Sequence, residues 1–294
     1  MSGIEPLLRA TDLSKSFGTL PVVRHVGLEI HPGEVLGLAG QSGAGKSALA
    51  MLLAGFYVPT EGAVVYDGQS LRWPFRAREL GIEVVHQQPD LAERLDISSN
   101  VFLGNEIGWS LVGRWLKVPN RRRMDVETAR ILSQLGMPFD SLREILANLS
   151  SEQRQVIAIA RAMTHPAKLI ILDDPTLLLS FRYQQRLLSL VQGWQRQGRA
   201  VLFASDNLDH LLAVTDRIVV LRHGRRVAEY RTDEADREEI VSAMVGPTDR
   251  QQLTPIMWAL DSYYRAREQA ERLYQRQALL ERDLGAQDLS LIHI

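Results

Sequence analysis

The stretch VLGLAGQSGAGKSALAMLLAG, residues 35–55, decides the fold of this 294-residue chain. It opens with a short apolar segment that suits a buried strand, and residues 40–47 (GQSGAGKS) then match the phosphate-loop pattern GxxxxGK[ST]. The remaining residues predict an apolar helix. Glycines let backbone N–H groups turn towards an anion, and the N-terminus of a helix adds a positive dipole end. The stretch therefore predicts a strand, a loop and a helix that together bind phosphate groups.

Three polar side chains are expected to act on a bound nucleotide. Lys46 would reach its β- and γ-phosphates, and the Ser47 hydroxyl would hold Mg²⁺. Residues 169–175 (LIILDDP) predict a buried strand that delivers Asp173 to its carboxyl end, where open α/β sheets bind ligands. Asp173 would hold the magnesium directly or through water.

Strands and helices alternate along much of the chain. Residues 7–31 and 61–86 predict strands, residues 91–149 are mainly helical and irregular, and strands then alternate with helices. Strands separated by helices of this length imply a parallel sheet that is covered on both faces. Within the helical part, residues 121–137 predict a helix. Its expected apolar positions are Val126, Ala129, Leu132 and Leu135.

Composition narrows the class of protein. The 34 Lys and Arg residues nearly balance the 35 Asp and Glu residues, so no overall field attracts nucleic acid. Arg121–Arg123 is the only tight basic cluster, and it is more typical of a helix flank or a solvent-facing surface. The lack of cysteine excludes disulfides, thiolate metal sites and a cysteine nucleophile. No run of 18 apolar residues predicts a membrane-spanning helix, so work at a membrane would require docking to another chain.

These motifs resemble the nucleotide-binding subunit of ABC transporters over about residues 7–247. The sequence HQQ at residues 86–88 is similar to the family's glutamine loop, which contacts magnesium and the membrane partner. Residues 95–106 (LDISSNVFLGNE) and 238–246 (EEIVSAMVG) are similar to the sugar-importer branch. The resemblance implies an α/β fold: a RecA-like P-loop NTPase core, an antiparallel β subdomain and a helical subdomain at about residues 91–160.

The same resemblance implies the ligands and the site residues. ATP and Mg²⁺ are the expected ligands, and ATP would lie between two head-to-tail cassettes. Phe17 matches the position that stacks on adenine, although a core phenylalanine is the alternative. The nucleotide-contacting residues are Phe17, Gly40, Gln41, Ser42, Gly43, Ala44, Gly45, Lys46, Ser47, Ala48, Ser150 and Gln153. The residues implied in hydrolysis are Lys46, Gln87, Asp174 and Asp206, and those implied at the metal are Ser47, Gln87 and Asp173.

Two departures from the family pattern change the charge of the signature and the length of the catalytic side chain. The family signature is LSGGQ, but residues 149–153 read LSSEQ, which brings the Glu152 carboxylate towards phosphate oxygens. A like-charge pair at ~4 Å costs about 4 kcal/mol at an effective dielectric of 20, and the cost falls if Glu152 turns outward or is protonated. The family's catalytic glutamate is replaced by Asp174, which is one methylene shorter. A base misplaced by ~1 Å can slow a reaction roughly a hundredfold.

Two further departures affect the γ-phosphate contact and the D-loop. Asp206 takes the place of the family's switch histidine, and a carboxylate cannot donate to a phosphate unless it is protonated. His210 lies four residues on and is not a substitute. The D-loop, residues 176–180 (TLLLS), lacks the usual aspartate. All four departures fall on hydrolysis and dimer closure while the phosphate loop is intact, so we expect ATP binding to be retained and turnover to be slow.

Residues 248–288 predict a helical or coiled-coil extension. A heptad seam with alternating steps of three and four is formed by Ile256, Ala259, Tyr263, Ala266, Ala270, Leu273, Gln277, Leu280 and Leu284. A single amphipathic helix packed on its own domain is the alternative. Residues 289–294 (LSLIHI) can be back-translated to a transposase adaptor used in sequencing libraries. We therefore expect a non-native tail there, with a short natural tail as the alternative.

Two functions remain open from the sequence. The first is a transport ATPase at the inner, cytoplasmic face of the cell membrane, which drives a separate permease that imports a sugar-like solute. It would work as a homodimer or with another cassette. The second is a regulatory cassette that senses ATP and passes its dimerisation through the heptad helix to an output domain beyond residue 288. A nucleic-acid maintenance role is disfavoured by the balanced charge.

Overall fold

The computed structural model of the chain describes residues 5–110 and 117–246. Twelve strands and seven α-helices lie within these two ranges. The strands are β1 (Leu8–Phe17), β2 (Leu20–Ile30), β3 (Val35–Ala39), β4 (Glu61–Tyr66), β5 (Gln69–Ser70), β6 (Ile82–Val85), β7 (Gly108–Ser110), β8 (Lys117–Pro119), β9 (Leu169–Asp173), β10 (Ala200–Ser205), β11 (Arg217–Arg222) and β12 (Arg225–Arg231). The helices are α1 (Lys46–Leu53), α2 (Ile97–Val101), α3 (Arg121–Leu135), α4 (Ser151–Met163), α5 (Phe181–Arg196), α6 (Leu208–Val214) and α7 (Arg237–Val245).

A six-stranded sheet forms the centre of the described part, in the order β12-β11-β3-β10-β9-β6. Its strands are parallel except for β12, which pairs antiparallel with β11 at one edge. Every residue of β3, β9 and β10 is buried, as the near-continuous apolar runs of these strands require in a sheet covered on both faces. The predicted parallel α/β sheet is confirmed.

The two faces of this sheet pack against different layers. Leu36, Ile171 and Leu202 belong to a core shared with α1 and with the sheet β2-β1-β4-β5, whose strands are all antiparallel. Val35, Leu172 and Phe203 belong to a second core shared with α2 to α6. The antiparallel sheet thus lies on the face that carries the phosphate-loop helix, and the helical elements lie on the other.

The helical part contains α2, α3 and α4, which contact one another. The predicted apolar face of α3 is partly wrong, because Val126 is 66% exposed and Ala129 is also exposed. The helix begins after the cap Asn120, and its polar Thr128 takes a core position beside the Ser98 hydroxyl of α2, so apolar spacing alone did not locate the buried face. That face is formed by Met124, Thr128, Ile131, Leu132 and Leu135. An antiparallel pair, β7 with β8, interrupts the helical region and was not predicted.

Several sequence predictions fall outside the described residues. These are the heptad seam within residues 248–288 and the non-native tail at residues 289–294. The boundary at residue 247 remains a prediction. Among the helices in residues 5–110 and 117–246, none combines the length and the apolar character that crossing a membrane requires.

Candidate functional site

The predicted site residues gather at the carboxyl edge of the six-stranded sheet. The phosphate loop follows β3, Asp174 follows the last residue of β9, Asp206 follows β10 and Gln87 lies just beyond β6. In the register of these parallel strands, Ser205 pairs with Ala39 and Ala204 pairs with Asp173. Since β3, β10, β9 and β6 are consecutive neighbours, the four segments lie side by side where α/β sheets bind ligands.

The phosphate loop depends on glycine at two positions. Gly43 and Gly45 have φ angles of 80° and 102°, in the region that side chains rarely adopt. A Cβ on Gly45 would also lie 2.8 Å from the Val22 carbonyl oxygen, so the backbone of β2 leaves no room for one. Gly45 caps α1, and the first residue of that helix is Lys46. The loop therefore leads directly into a helix N-terminus, which favours an anion.

The Lys46 ammonium group is buried inside this loop. Its Nζ donates to the Gly40 carbonyl at 2.8 Å and to the Gln41 carbonyl at 3.4 Å. The nearest carboxylate oxygen is Oδ2 of Asp174, at 3.9 Å from Nζ. Only 5% of the Lys46 side chain is exposed, so its positive charge is held away from bulk water. An anion entering the loop meets this charge with little solvent screening.

Ser47 and Asp173 form a pair of oxygen ligands next to the loop. The Ser47 hydroxyl donates to Oδ1 of Asp173 at 2.9 Å. Burial raises the pKa of Asp173, while the bond from Ser47 and the charge of Lys46 oppose that rise. In residues 5–110 and 117–246, no group of three or more His, Cys, Asp or Glu side chains is arranged to hold a metal. The pair fits Mg²⁺, which is commonly bound by one or two protein oxygens together with substrate phosphates.

Asp174 has an unusual backbone and a raised pKa. Its φ angle is 44°, and its N–H donates to the Ala204 carbonyl of β10 at 3.0 Å. Burial raises the pKa of Asp174 to about 6, and the Lys46 charge opposes this rise. The charges of Asp206 and Asp173 raise the pKa further, while a backbone hydrogen bond from Asp206 lowers it. Asp174 is therefore a carboxylate whose protonation changes near neutral pH, as a general base requires.

The remaining predicted residues lie around this centre. Gln87 is half-buried after β6, and Asp206 is exposed after β10. Phe17 is 43% exposed and meets the Tyr57 ring edge-to-face at 5.1 Å, so the alternative of a core phenylalanine is wrong. The Lys15 ammonium lies 5.1 Å from the centre of the Phe17 ring. Stacking of Phe17 on adenine remains a prediction.

The variant signature caps its own helix. The Ser150 hydroxyl accepts from the Gln153 N–H, and the Gln153 side chain accepts from the Ser150 N–H, which together form a capping box at the start of α4. Oε1 of Glu152 accepts a hydrogen bond from the backbone N–H of Ser180 at 2.6 Å. Ser180 is the residue before α5, so Glu152 turns towards the end of the D-loop in this structure.

Sequence reasoning missed the side chains that hold the turn after Asp174. Gln155 of α4 is fully buried and donates to the Pro175 carbonyl at 3.3 Å. His210 of α6 lies 3.2 Å from the Thr176 hydroxyl. His86 lies close enough to Asp173 for their charges to influence each other's pKa. No sequence motif marks Gln155 or His210, because their partners come from distant segments.

The fold and the site define a class of protein. The sheet is mainly parallel, a GxxxxGKS loop follows one strand, and aspartates follow nearby strands. This arrangement is typical of a P-loop nucleoside triphosphatase. A family model described as ABC transporter matches residues 23–177. The chain belongs to the ABC transporter family, and it is an ATP-binding cassette of the ATPase type. The resemblance read from the motifs is thereby confirmed.

Relatives from three organisms show the same affiliation. The chain is 33% identical over 246 residues to the fructose import ATP-binding protein FrcA of Rhizobium meliloti, covering 82% of this chain and 95% of that protein. It is 34% identical to the xylose/arabinose import ATP-binding protein XylG of Sulfolobus acidocaldarius, covering 81% of this chain and 93% of that one. The ribose import ATP-binding protein RbsA of Geobacillus kaustophilus is 38% identical over 80% of this chain. The chain spans about half of that relative, 47% of its length.

Solved structures share the fold at lower identity. A nucleotide-free ATP-binding cassette from an ABC transporter superposes with a TM-score of 0.66 at 24% identity, covering 83% of this chain and 96% of that one. The cassette MJ0796, in a dimeric post-hydrolysis state bound to ADP and phosphate, gives a TM-score of 0.67 at 23% identity, covering 76% of this chain and 98% of that one. These likenesses confirm the predicted P-loop fold.

Proposed function

We propose that this chain binds MgATP and, with a separate membrane permease, energises the import of a sugar-like solute, with slow hydrolysis. The observation that carries the proposal is the cluster at the carboxyl edge of the sheet. There Ser47 contacts Asp173 at 2.9 Å, and Lys46 lies 3.9 Å from Asp174. The sugar-like solute is supported by relatives named for the import of fructose, ribose and xylose or arabinose.

The phosphate loop would bind the triphosphate. The glycine-rich backbone of residues 40–47 and the N-terminus of α1 would surround the phosphates, and Lys46 would exchange its bonds to the loop carbonyls for bonds to phosphate oxygens. Ser47 and Asp173 would hold Mg²⁺, with Gln87 nearby at the end of β6. When bound, Mg²⁺ neutralises charge on the β- and γ-phosphate oxygens.

Asp174 would act as the general base. Its carboxylate takes a proton from water as the water oxygen bonds to the γ-phosphorus, and the bond from that phosphorus to the bridging oxygen of ADP breaks. The products are ADP and inorganic phosphate. A pKa of about 6 leaves most of the Asp174 carboxylate ionised at pH 7.5. The buried Lys46 charge favours that ionised form.

Three departures would slow this reaction. Asp174 is one methylene shorter than glutamate, so its oxygens stop short of the position that a longer side chain reaches. Asp206 offers a carboxylate where a donor to the γ-phosphate is needed. Glu152 adds a negative charge to the signature, although its bond to the Ser180 N–H turns it away and reduces the repulsion.

The proposed partners follow from the family. Two cassettes would close head to tail on ATP, so residues 149–153 of each chain would complete the site of the other. In a homodimer both sites would carry the departures, and in a heterodimer each site would take one altered half from this chain. The permease would place the cassette at the inner face of the cell membrane, where it is a peripheral, cytoplasmic subunit.

Binding and turnover of MgATP test the proposal together. We would measure ATP affinity by calorimetry and steady-state phosphate release on the purified chain, beside the Lys46→Ala variant. Tight binding that Lys46→Ala weakens, with slow phosphate release that the same change abolishes, is the expected result. Release at about one per second or faster would contradict slow hydrolysis.

Three other outcomes separate the alternatives. Tight binding with release no faster than in Lys46→Ala would favour the ATP-sensing cassette over the transport ATPase. A chain that does not bind ATP would contradict both. Release that rises when membranes containing a co-purified permease and a pentose or hexose are added would support the import role.

A further inference from the structure

His210 connects the turns that follow two neighbouring strands of the sheet. It lies in α6, it is 8% exposed, and its ring faces two polar side chains. Nδ1 lies 3.2 Å from the Thr176 hydroxyl, in the turn after β9. Nε2 lies 3.3 Å from Nδ2 of Asn207, in the turn after β10. These are the two turns that begin with Asp174 and Asp206.

The orientation of the Asn207 amide follows from the cap of α6. Its Oδ1 accepts hydrogen bonds from the backbone N–H groups of Asp209 at 3.0 Å and His210 at 3.3 Å. Backbone N–H groups only donate, so the atom facing them must be the amide oxygen. The other amide atom, the one that faces the His210 ring, is therefore the NH₂ group.

The amide orientation fixes the ring proton of His210. The Asn207 NH₂ group donates to Nε2, so Nε2 must keep its lone pair. A neutral imidazole then carries its proton on Nδ1 and donates it to the Thr176 hydroxyl. A doubly protonated ring would place an N–H on Nε2 against the Asn207 NH₂ group. The geometry thus requires the neutral ring, with its proton on Nδ1.

The surroundings of the ring favour the same neutral form. Burial lowers the pKa of His210, and this effect is larger than the opposing effects of Asp209 and Asp206. Asp209 is itself paired with Arg237 of α7, at 3.0 Å. The ring therefore remains an uncharged link at neutral pH.

Other hydrogen bonds also contact the turn after β9. Gln155 donates to the Pro175 carbonyl, and Gln184 donates to the Thr176 carbonyl at 3.2 Å. These bonds hold the turn to α4 and α5, and the Asp174 N–H holds its start to β10. The His210 ring is the side-chain contact that ties Thr176 to the turn carrying Asp206.

We propose that His210 is a positioning residue for ATP hydrolysis, whose neutral ring ties the Thr176 turn to the Asn207 turn and thereby fixes Asp174 relative to Asp206. The proposal rests on the proposed function, because it concerns the same hydrolytic site. His210 does not replace the missing switch histidine. Its ring points to the D-loop threonine, and its effect on the phosphates is transmitted through Asp174.

Kinetics of matched variants test the role in turnover. We would compare His210→Leu, His210→Asn and Thr176→Val in the full chain. His210→Leu removes both ring bonds, and Thr176→Val removes the acceptor with little change of shape. His210→Asn places an amide NH₂ group near the position of Nδ1, from which it can donate to Thr176. ATP affinity, KM, kcat and the thermal unfolding midpoint are measured for each.

We expect a loss of kcat without a loss of binding. His210→Leu and Thr176→Val each lower kcat about tenfold, because Asp174 is no longer held at its distance from the attacking water, while KM changes by less than about twofold. The double variant is no slower than either single variant. His210→Asn keeps kcat within about threefold of the wild type. Unchanged kcat in Thr176→Val, additive losses in the double variant, or a His210→Asn variant as slow as His210→Leu would overturn the positioning role.

A spectroscopic measurement tests the link without relying on turnover. In the ¹⁵N-labelled chain, the signals that disappear in His210→Asn identify the ring. We expect Nδ1 to appear as a protonated nitrogen and Nε2 as an unprotonated one at pH 7.5. A proton on Nε2 would overturn the link. Wild-type phosphate release no faster than in Lys46→Ala would instead overturn the proposed function and the positioning role with it, while leaving the ring assignment to stand on its own measurement.

Discussion

At the scale of single residues, residues 40–47 keep the phosphate-loop pattern, whereas Asp174 and Asp206 depart from the family pattern. Lys46, Ser47 and Asp173 lie together at the phosphate loop, where Lys46 donates to the Gly40 carbonyl and Ser47 donates to Asp173. Asp174 replaces the longer catalytic glutamate of the family, and Asp206 replaces the histidine that donates to the γ-phosphate. The charge of Asp206 raises the pKa of Asp174, so one departure changes the protonation of the other.

The pH dependence of hydrolysis is the first prediction. The base is active when it is ionised, and the pKa of Asp174 is raised to about 6, chiefly by burial. The kcat/KM for MgATP hydrolysis, which reports the pKa of the nucleotide-free protein, should therefore fall as the pH is lowered from 8 to 5, with the half-way point near pH 6. In Asp174→Asn, which has no such ionisation, the residual rate should lack this step. A wild-type profile that is flat between pH 5 and 7.5 would contradict the assignment of the base.

The second prediction concerns the signature glutamate. Glu152→Gln removes a negative charge but keeps an oxygen that can accept from the Ser180 N–H. We expect turnover to rise at least about threefold, because closure on ATP no longer brings that charge towards the phosphates. The control is Glu152→Ala, which also removes the acceptor and should cost about 1 kcal/mol of unfolding free energy, as the loss of a helix N-cap does. Equal turnover in Glu152→Gln and wild type would show that the charge does not limit closure.

At the scale of elements, helix α3 shows where sequence periodicity fails. Two of its predicted core positions, Val126 and Ala129, are exposed, while the polar Thr128 is fully buried and lies 3.3 Å from the Ser98 hydroxyl of α2. A polar residue can occupy a core position when it has a partner there. Apolar spacing alone therefore selected a face one step away from the true one.

Paired truncations in α3 give the third prediction. Ile131→Ala removes buried atoms from the core against α2 and α4 and should lower the free energy of unfolding by about 2–5 kcal/mol. Val126→Ala, at a position that is 66% exposed, should change it by less than about 0.5 kcal/mol. Urea unfolding of both variants checks this. A larger loss in Val126→Ala than in Ile131→Ala would mean that α3 packs on the face predicted from its sequence.

The strands were predicted more successfully than the contacts between segments. Apolar runs such as residues 169–172, together with the turn glycines, indicate the strands of a sheet that is covered on both faces. The phosphate loop indicates the edge of that sheet where ligands bind. The hydrogen bond between the Ser180 N–H and Glu152 joins residues 28 positions apart. The contact between His210 and Thr176 joins residues 34 positions apart. Local patterns carry no signal for such pairs, because tertiary packing alone brings them together.

At the scale of the whole molecule, the proposed head-to-tail assembly would bring the departures of two chains together. A cassette that closes head to tail places residues 149–153 of one chain against the phosphate loop of another, so Glu152 and Asp174 would act in the same composite site. Slow closure and slow hydrolysis would then combine. Pairing with a cassette that has the family residues would supply only one unaltered half of each composite site. A transporter that contains this chain would therefore import its solute slowly.

The most direct test restores the family residue at three of the altered positions. Single-turnover hydrolysis of MgATP would be measured for the wild type, for the variant Glu152→Gly, Asp174→Glu, Asp206→His, and for that variant with Lys46→Ala as the control. We predict that the triple variant hydrolyses ATP at least about a hundredfold faster than the wild type at similar ATP affinity, and that Lys46→Ala abolishes the gain. A triple variant that binds ATP as tightly as the wild type but hydrolyses it no faster would contradict the claim that these three residues limit turnover.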